Sequence, residues 1–108
     1  MANNYKIVVF VPEFQADAVL EAMAAAGAGK IGNYTYCSFS SKGIGRFRPG
    51  QGAHPAIGEI GKSERVAEER IEMLATPDVV GNVLAAIRRA HPYEEPAIDV
   101  YPLADWGK

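Results

Sequence analysis

A chain of 108 residues, 48% of them hydrophobic, has apolar material for one core and reads as a single domain over residues 1–108. Its net charge of -2 gives no global case for nucleic acid, which usually selects a basic domain, and no apolar run approaches the ~20 residues of a membrane helix. Cys37 is the only cysteine, which excludes an internal disulfide and a multi-cysteine zinc site; with no basic and apolar leader in residues 1–11, the chain reads as cytoplasmic.

Residues 6–11, Lys-Ile-Val-Val-Phe-Val, are apolar on both alternating faces and predict a strand buried on both sides. Pro12 ends it and opens a predicted helix over 13–26, with Ala16, Leu20 and Met23 at helical spacing, Asp17 and Glu21 facing water, and Gly27 as the stop. Residues 34–39, Tyr-Thr-Tyr-Cys-Ser-Phe, predict a second strand that buries Cys37 as an inert thiol. Lys42-Gly43 suggest an extra hairpin into a short third strand over 44–48. Residues 49–61, with Gly50, Gly52, Gly58 and Gly61, predict a long glycine-rich loop.

Residues 63–75 send two signals. Their Glu, Arg, Ala, Met and Leu content favours helix, whereas Ile71 and Met73 alternating with Arg70 and Glu72 favour a half-buried strand. Thr76-Pro77-Asp78 predict a capped helix start, Val80, Val83, Leu84 and Ile87 its buried stripe, and Arg88 and Arg89 its C-terminal end. His91-Pro92 stop that helix. Residues 97–103 predict the last strand, Asp99 opposite Ile98 and Val100. The tail 104–108 is expected to fray, with Trp106 as the group able to tack it down.

Strand, helix, strands, helix, strand is the order of an α+β, ferredoxin-like βαββαβ sandwich, with both helices on one face of an antiparallel sheet. The two-sided first strand then predicts that something covers the second face, and another copy of the chain is the natural candidate.

Chemistry is sparse. Gly27-Ala-Gly29-Lys-Ile-Gly32 spells G-x-G-x-x-G but follows a helix and precedes a strand, the reverse of what a pyrophosphate site needs, so it reads as a helix cap and tight turn. Bases gather over 30–65, and Arg46, Arg48, His54 and Lys62 with Tyr34 and Tyr36 form the candidate site for a small ligand: an anion, nucleotide or sugar. The subunit interface is the other place for such a ligand, and the alternative reading of these bases is a solvated loop face. His91, Glu94 and Glu95 are the candidate ligands of a divalent metal, against a stiff turn with a capping histidine. Two histidines, one thiol and no acid pair give an enzyme little to work with.

Gly29-Lys-Ile-Gly-Asn-Tyr34, Phe39-Ser-Ser41, Phe47-Arg-Pro-Gly50, Ile57-Gly-Glu-Ile-Gly61, Ala90-His-Pro-Tyr-Glu-Glu-Pro96 and Asp99-Val-Tyr-Pro-Leu103 together resemble the domain inserted into many NIF-three-like proteins of the YqfO type. That domain is similar in fold to CutA and PII signalling proteins. The resemblance implies a strand over 65–75, a homotrimer or dimer packed through sheet faces and edges, and a non-enzymatic binding or regulatory module. A CutA-like divalent metal-tolerance role is the alternative it implies. The flanking segments that carry the dinuclear metal core of NIF-three-like proteins have no counterpart in this sequence.

Overall fold

The computed structural model describes residues 3–105. In chain order the elements are β1 (Tyr5–Pro12), a 3-10 turn (Glu13–Gln15), α1 (Ala16–Ala25), β2 (Phe39–Phe47), β3 (Glu64–Ala75), α2 (Val80–Ala90) and β4 (Ile98–Pro102). The sheet runs β2-β3-β1-β4, and every neighbouring pair is antiparallel. This is the expected ferredoxin-like sandwich. The position of Trp106 lies outside the described residues.

Alternation along β1 divides the sheet. Ile7, Val9 and Val11 join Ile71, Met73 and Ala75 of β3 against Val19 and Met23 of α1 and Val83 and Ile87 of α2, forming the core. The intervening residues face away from the helices. There Val8 is fully buried within the single chain, although it stands opposite Glu72 and Asp99. Arg70 lies over the Phe10 ring at 5.5 Å and pairs with Glu72 at 3.1 Å. Long polar side chains from the neighbouring strands therefore shelter much of the second face, and β1 needs no second copy to bury Val8. Phe39 and Tyr101 stay exposed at the flanks of that face.

Several local expectations move. Residues 34–38 form no strand: Tyr36 adopts a left-handed φ of 61°, and Cys37 is half-buried in a loop, its N–H donating to Gly29 O at 2.8 Å. The tight hairpin turn falls at Gly32-Asn33, closed by reciprocal bonds between Ile31 and Tyr34, with Gly32 at φ 56°. Lys42-Gly43 make no turn; β2 runs straight through them to Phe47, so the short separate strand over 44–48 is absorbed into it. Residues 64–75 are strand, in line with their two-residue alternation. Ahead of α2 the Thr76 hydroxyl donates to Asp78 rather than capping the helix, which begins at Val80. The C-terminal end of α2 is met by Gln15, whose Nε2 donates to Ala90 O at 3.2 Å.

β3 outruns β1. Pro12 is opposite Glu68, so Glu64, Arg65, Val66 and Ala67 pair with β2 alone. The β2–β3 ribbon projects past the end of β1 and gives the molecule its 48 × 23 × 22 Å extents.

Candidate functional site

The ground beneath the projecting ribbon is enclosed by two segments distant in sequence. One is the glycine-rich loop, whose ends are drawn together by the Gly61 N–H donating to Pro49 O at 2.7 Å and by Arg48 donating to Ser63 Oγ at 2.8 and 3.0 Å. The other is the turn between α2 and β4. His91 holds that turn to β1: the Tyr93 N–H donates to His91 Nδ1 at 3.1 Å, which leaves Nε2 as the protonated nitrogen, donating to Phe10 O at 2.7 Å. Phe10 N–H donates to Ala97 O at 3.2 Å and completes the clamp. The loop and the turn meet where the main-chain N–H of His54 donates to Glu94 Oε1 at 2.8 Å.

Between them lies a cleft of about 570 Å³. Its walls are largely apolar: Phe10, Ile44 and Phe47 from the sheet, with Pro55, Ala56 and Ile57 from the loop. Glu68 is 8% exposed and lines the same space. The Tyr93 hydroxyl donates to Glu68 Oε2 at 3.0 Å, and the Tyr93 ring packs edge-on against Phe47 with centroids 5.5 Å apart. Gly45 makes room for this carboxylate, because a Cβ there would stand 2.1 Å from Oε1.

Burial, reinforced by the hydrogen bond to Glu68 and the negative charges of Glu68 and Glu64, pushes the Tyr93 phenol well above its ordinary value. The phenol therefore stays protonated as a donor. Burial lowers the His91 pKa, against the opposing pull of its bond to Phe10 O and the charge on Glu68.

The residues expected from sequence are not all gathered here. Arg46 and Arg48 line the cleft, and His54 borders it through its main chain rather than its imidazole. Lys62 turns to Glu59, 3.0 Å away. Tyr34 and Tyr36 are exposed near the other end of β3, where Gly29 N–H donates to Leu74 O, some 20 Å along the strand from Glu68. Three acids, Glu68, Glu94 and Glu95, meet two bases at the cleft, so its lining is not predominantly basic.

The three metal candidates do not converge. Both His91 ring nitrogens are engaged in hydrogen bonds and Glu94 is turned to His54, while Glu95 lines the cleft exposed. Among the described residues no three His, Cys, Asp or Glu side chains form a metal-binding group.

Glu68 and Tyr93 are the site residues that the sequence reading passes over. Gly45 carried a usable signal, since a glycine inside a strand marks close approach by another group.

No protein-family model matches the chain. It is 53% identical over 104 residues to the GTP cyclohydrolase 1 type 2 homolog of Halalkalibacterium halodurans, covering 96% of this chain and 28% of that protein. A crystal structure of a Bacillus cereus protein related to NIF3 superposes with a TM-score of 0.83 at 46% identity, over 96% of this chain and 26% of the other. The chain resembles one domain of the NIF3-related proteins. It spans about a quarter of the length of these relatives.

The likeness extends in fold to the periplasmic divalent cation tolerance protein CutA of Archaeoglobus fulgidus, with a TM-score of 0.68 at 15% identity over 94% of this chain and 85% of that one. It extends also to Bacillus subtilis GlnK, with a TM-score of 0.63 at 14% identity over 95% and 87% of the two chains. The CutA- and PII-like architecture implied by the sequence motifs is thus the architecture found.

Proposed function

We propose that the chain is a single-domain binding or regulatory module that takes a small ligand in the cleft between the glycine-rich loop and the turn before β4. The observation that carries this reading is the bond from His54 N–H to Glu94 Oε1, which makes one enclosure of two segments forty residues apart. The cleft volume lies within the ~300–1,000 Å³ of small-molecule sites, and apolar walls with a few inward polar groups are their usual construction. The likeness to CutA and GlnK supports a small binding module. No catalytic step is assigned to it. The activity in the name of the longer relatives belongs to proteins of which this chain matches about a quarter. We place the module in the cytoplasm and expect it to work as a homo-oligomer. Among the described residues no helix is long and apolar enough to cross a membrane.

A thermal-shift panel of nucleotides, sugars, amines, anions and divalent metals, followed by amide-shift mapping of each hit, tests the reading. A hit should perturb Gly45, Phe47, Ala53, Ala56 and Tyr93. A tight ligand that instead perturbs Tyr34 and Tyr36, or the outer faces of the helices, overturns it.

A further inference from the structure

The floor of the cleft carries a carboxylate with an unusual set of neighbours. Glu68 is more than nine-tenths buried, and among the described residues its hydrogen bond is the phenol of Tyr93 on Oε2. No donor among them reaches Oε1, which lies over the bare backbone of Gly45 and, since no fully buried side-chain oxygen lacks a partner, is open to the cleft. Of the bases around the cleft, Arg70 pairs with Glu72 and covers Phe10, Arg48 is held by Ser63, and Arg46 is exposed at the rim. Buried carboxylates are ordinarily paired with a cation, and leaving one without a counter-charge is costly. Around this carboxylate stand the rings of Phe10, Phe47 and Tyr93, whose electron-rich faces attract positive charge. Glu94 and Glu95 add negative charge at the rim, against the exposed Arg46 and Arg48.

We infer that the cleft binds an organic cation, a protonated amine or amidine on a flat apolar body. Its N–H group donates to Glu68 Oε1 while the body packs among Phe10, Phe47 and Ile57. The inference rests on the cleft being the ligand site and adds the chemistry of what enters. The same cationic group could be carried by a free small molecule or by a lysine or arginine side chain of a second copy.

Calorimetric titration of the whole chain with matched pairs tests it: benzamidine against benzamide, and phenethylamine against 2-phenylethanol. At least one cation should bind about tenfold or more tightly than its neutral partner, a difference worth ~1.4 kcal/mol, and should perturb the amides of Gly45, Phe47 and Tyr93. Glu68→Gln, which keeps the shape and removes the charge, should bring each pair to within about threefold. Should Glu68→Gln fail to fold, Glu68→Asp, which withdraws the carboxylate by one methylene, serves as the test and should also weaken the preference. If the cation preference survives unchanged in the folded variant, the inference is wrong. It is equally wrong if neither cation binds and the mass by light scattering is unchanged in Glu68→Gln. A side chain from a second copy as the cation would instead give little binding of either probe together with dissociation of the Glu68→Gln chain. If a neutral or anionic ligand maps to the cleft and ignores Glu68, the inference falls while the cleft remains the ligand site; if hits map elsewhere, both fall.

Discussion

His91 is the hinge on which the turn before β4 depends, and its hydrogen bonds fix its charge state. The imidazole must accept from Tyr93 N–H at Nδ1 while donating from Nε2 to Phe10 O, which only the neutral ring can do. Burial lowers its pKa below the ordinary imidazole value of 6.5, so below that pH the unfolded chain binds a proton that the folded chain refuses. The stability held by the neutral ring is therefore complete above pH 6.5 and is lost as pH falls through the lowered folded value. Melting temperature followed from pH 8 to about pH 5 should fall more steeply for the wild type than for His91→Asn, which has no such proton to bind. An imidazole signal that titrates at or above pH 6.5 would sink the argument. The sequence offered His91 as a metal ligand or as the capping histidine of a stiff turn; in the structure it clamps that turn to β1, and the 81 residues separating it from Phe10 hid its partner.

At the scale of elements, the glycine on the way into β2 and a glycine within it differ in kind. Gly29 sits at φ 80° with Cys37 O 2.7 Å and Met73 Cε 2.6 Å from where a Cβ would be, so the loop leaving α1 can cross β3 only without a side chain. Gly43 has nothing within 4 Å of that position and an ordinary backbone. Gly29→Ala should cost about 2 kcal/mol or more, from the left-handed backbone and the clash with main chain, while Gly43→Ala should change stability by less than ~1 kcal/mol. Urea unfolding of the pair checks this, and equal midpoints would refute it.

The same contrast explains what the sequence could and could not tell about these elements. In residues 34–39 the aromatic composition promised a strand, but the contact at Gly29 and the left-handed Tyr36 hold residues 34–38 in a loop, and the strand begins only at Phe39. In β2 Gly43 suggested a turn, yet it sits in extended backbone, and Gly45 beyond it lies against the Glu68 carboxylate. In β3 the helical composition misled because Glu68, Arg70 and Glu72 are the polar face of a strand; the alternation of Ile71 and Met73 was the dependable signal, since it reports which face meets the helices. Both halves of the cleft were visible as separate candidates, whereas their union at His54 and Glu94 is a tertiary fact with no local trace.

The whole molecule poses the question of self-association. The two-sided first strand suggested that a partner must cover the helix-free face, but Val8 is already buried and that face is largely sheltered by charged side chains. The stronger argument comes from the sheet edge. β2 is nine residues long, pairs only with β3 among the described residues, and carries Phe39 at 67% exposure, next to the helix-free face. A long edge strand with a free row of backbone donors and acceptors is a surface that folded proteins cover or guard. Here the guard is slight: Lys42 is its one charged residue before Arg46. Pairing or packing through that edge by a second copy would bury Phe39 and satisfy the free backbone groups together. Light scattering at micromolar concentration should accordingly give two or more times the 11.6 kDa of one chain. Phe39→Lys places a charge at the edge, lies outside the cleft, and should shift the population towards monomer with little change in melting temperature beyond that of lost association. A wild-type mass of 11.6 kDa across that concentration range would refute the association, and an unchanged oligomer in Phe39→Lys would move it away from β2.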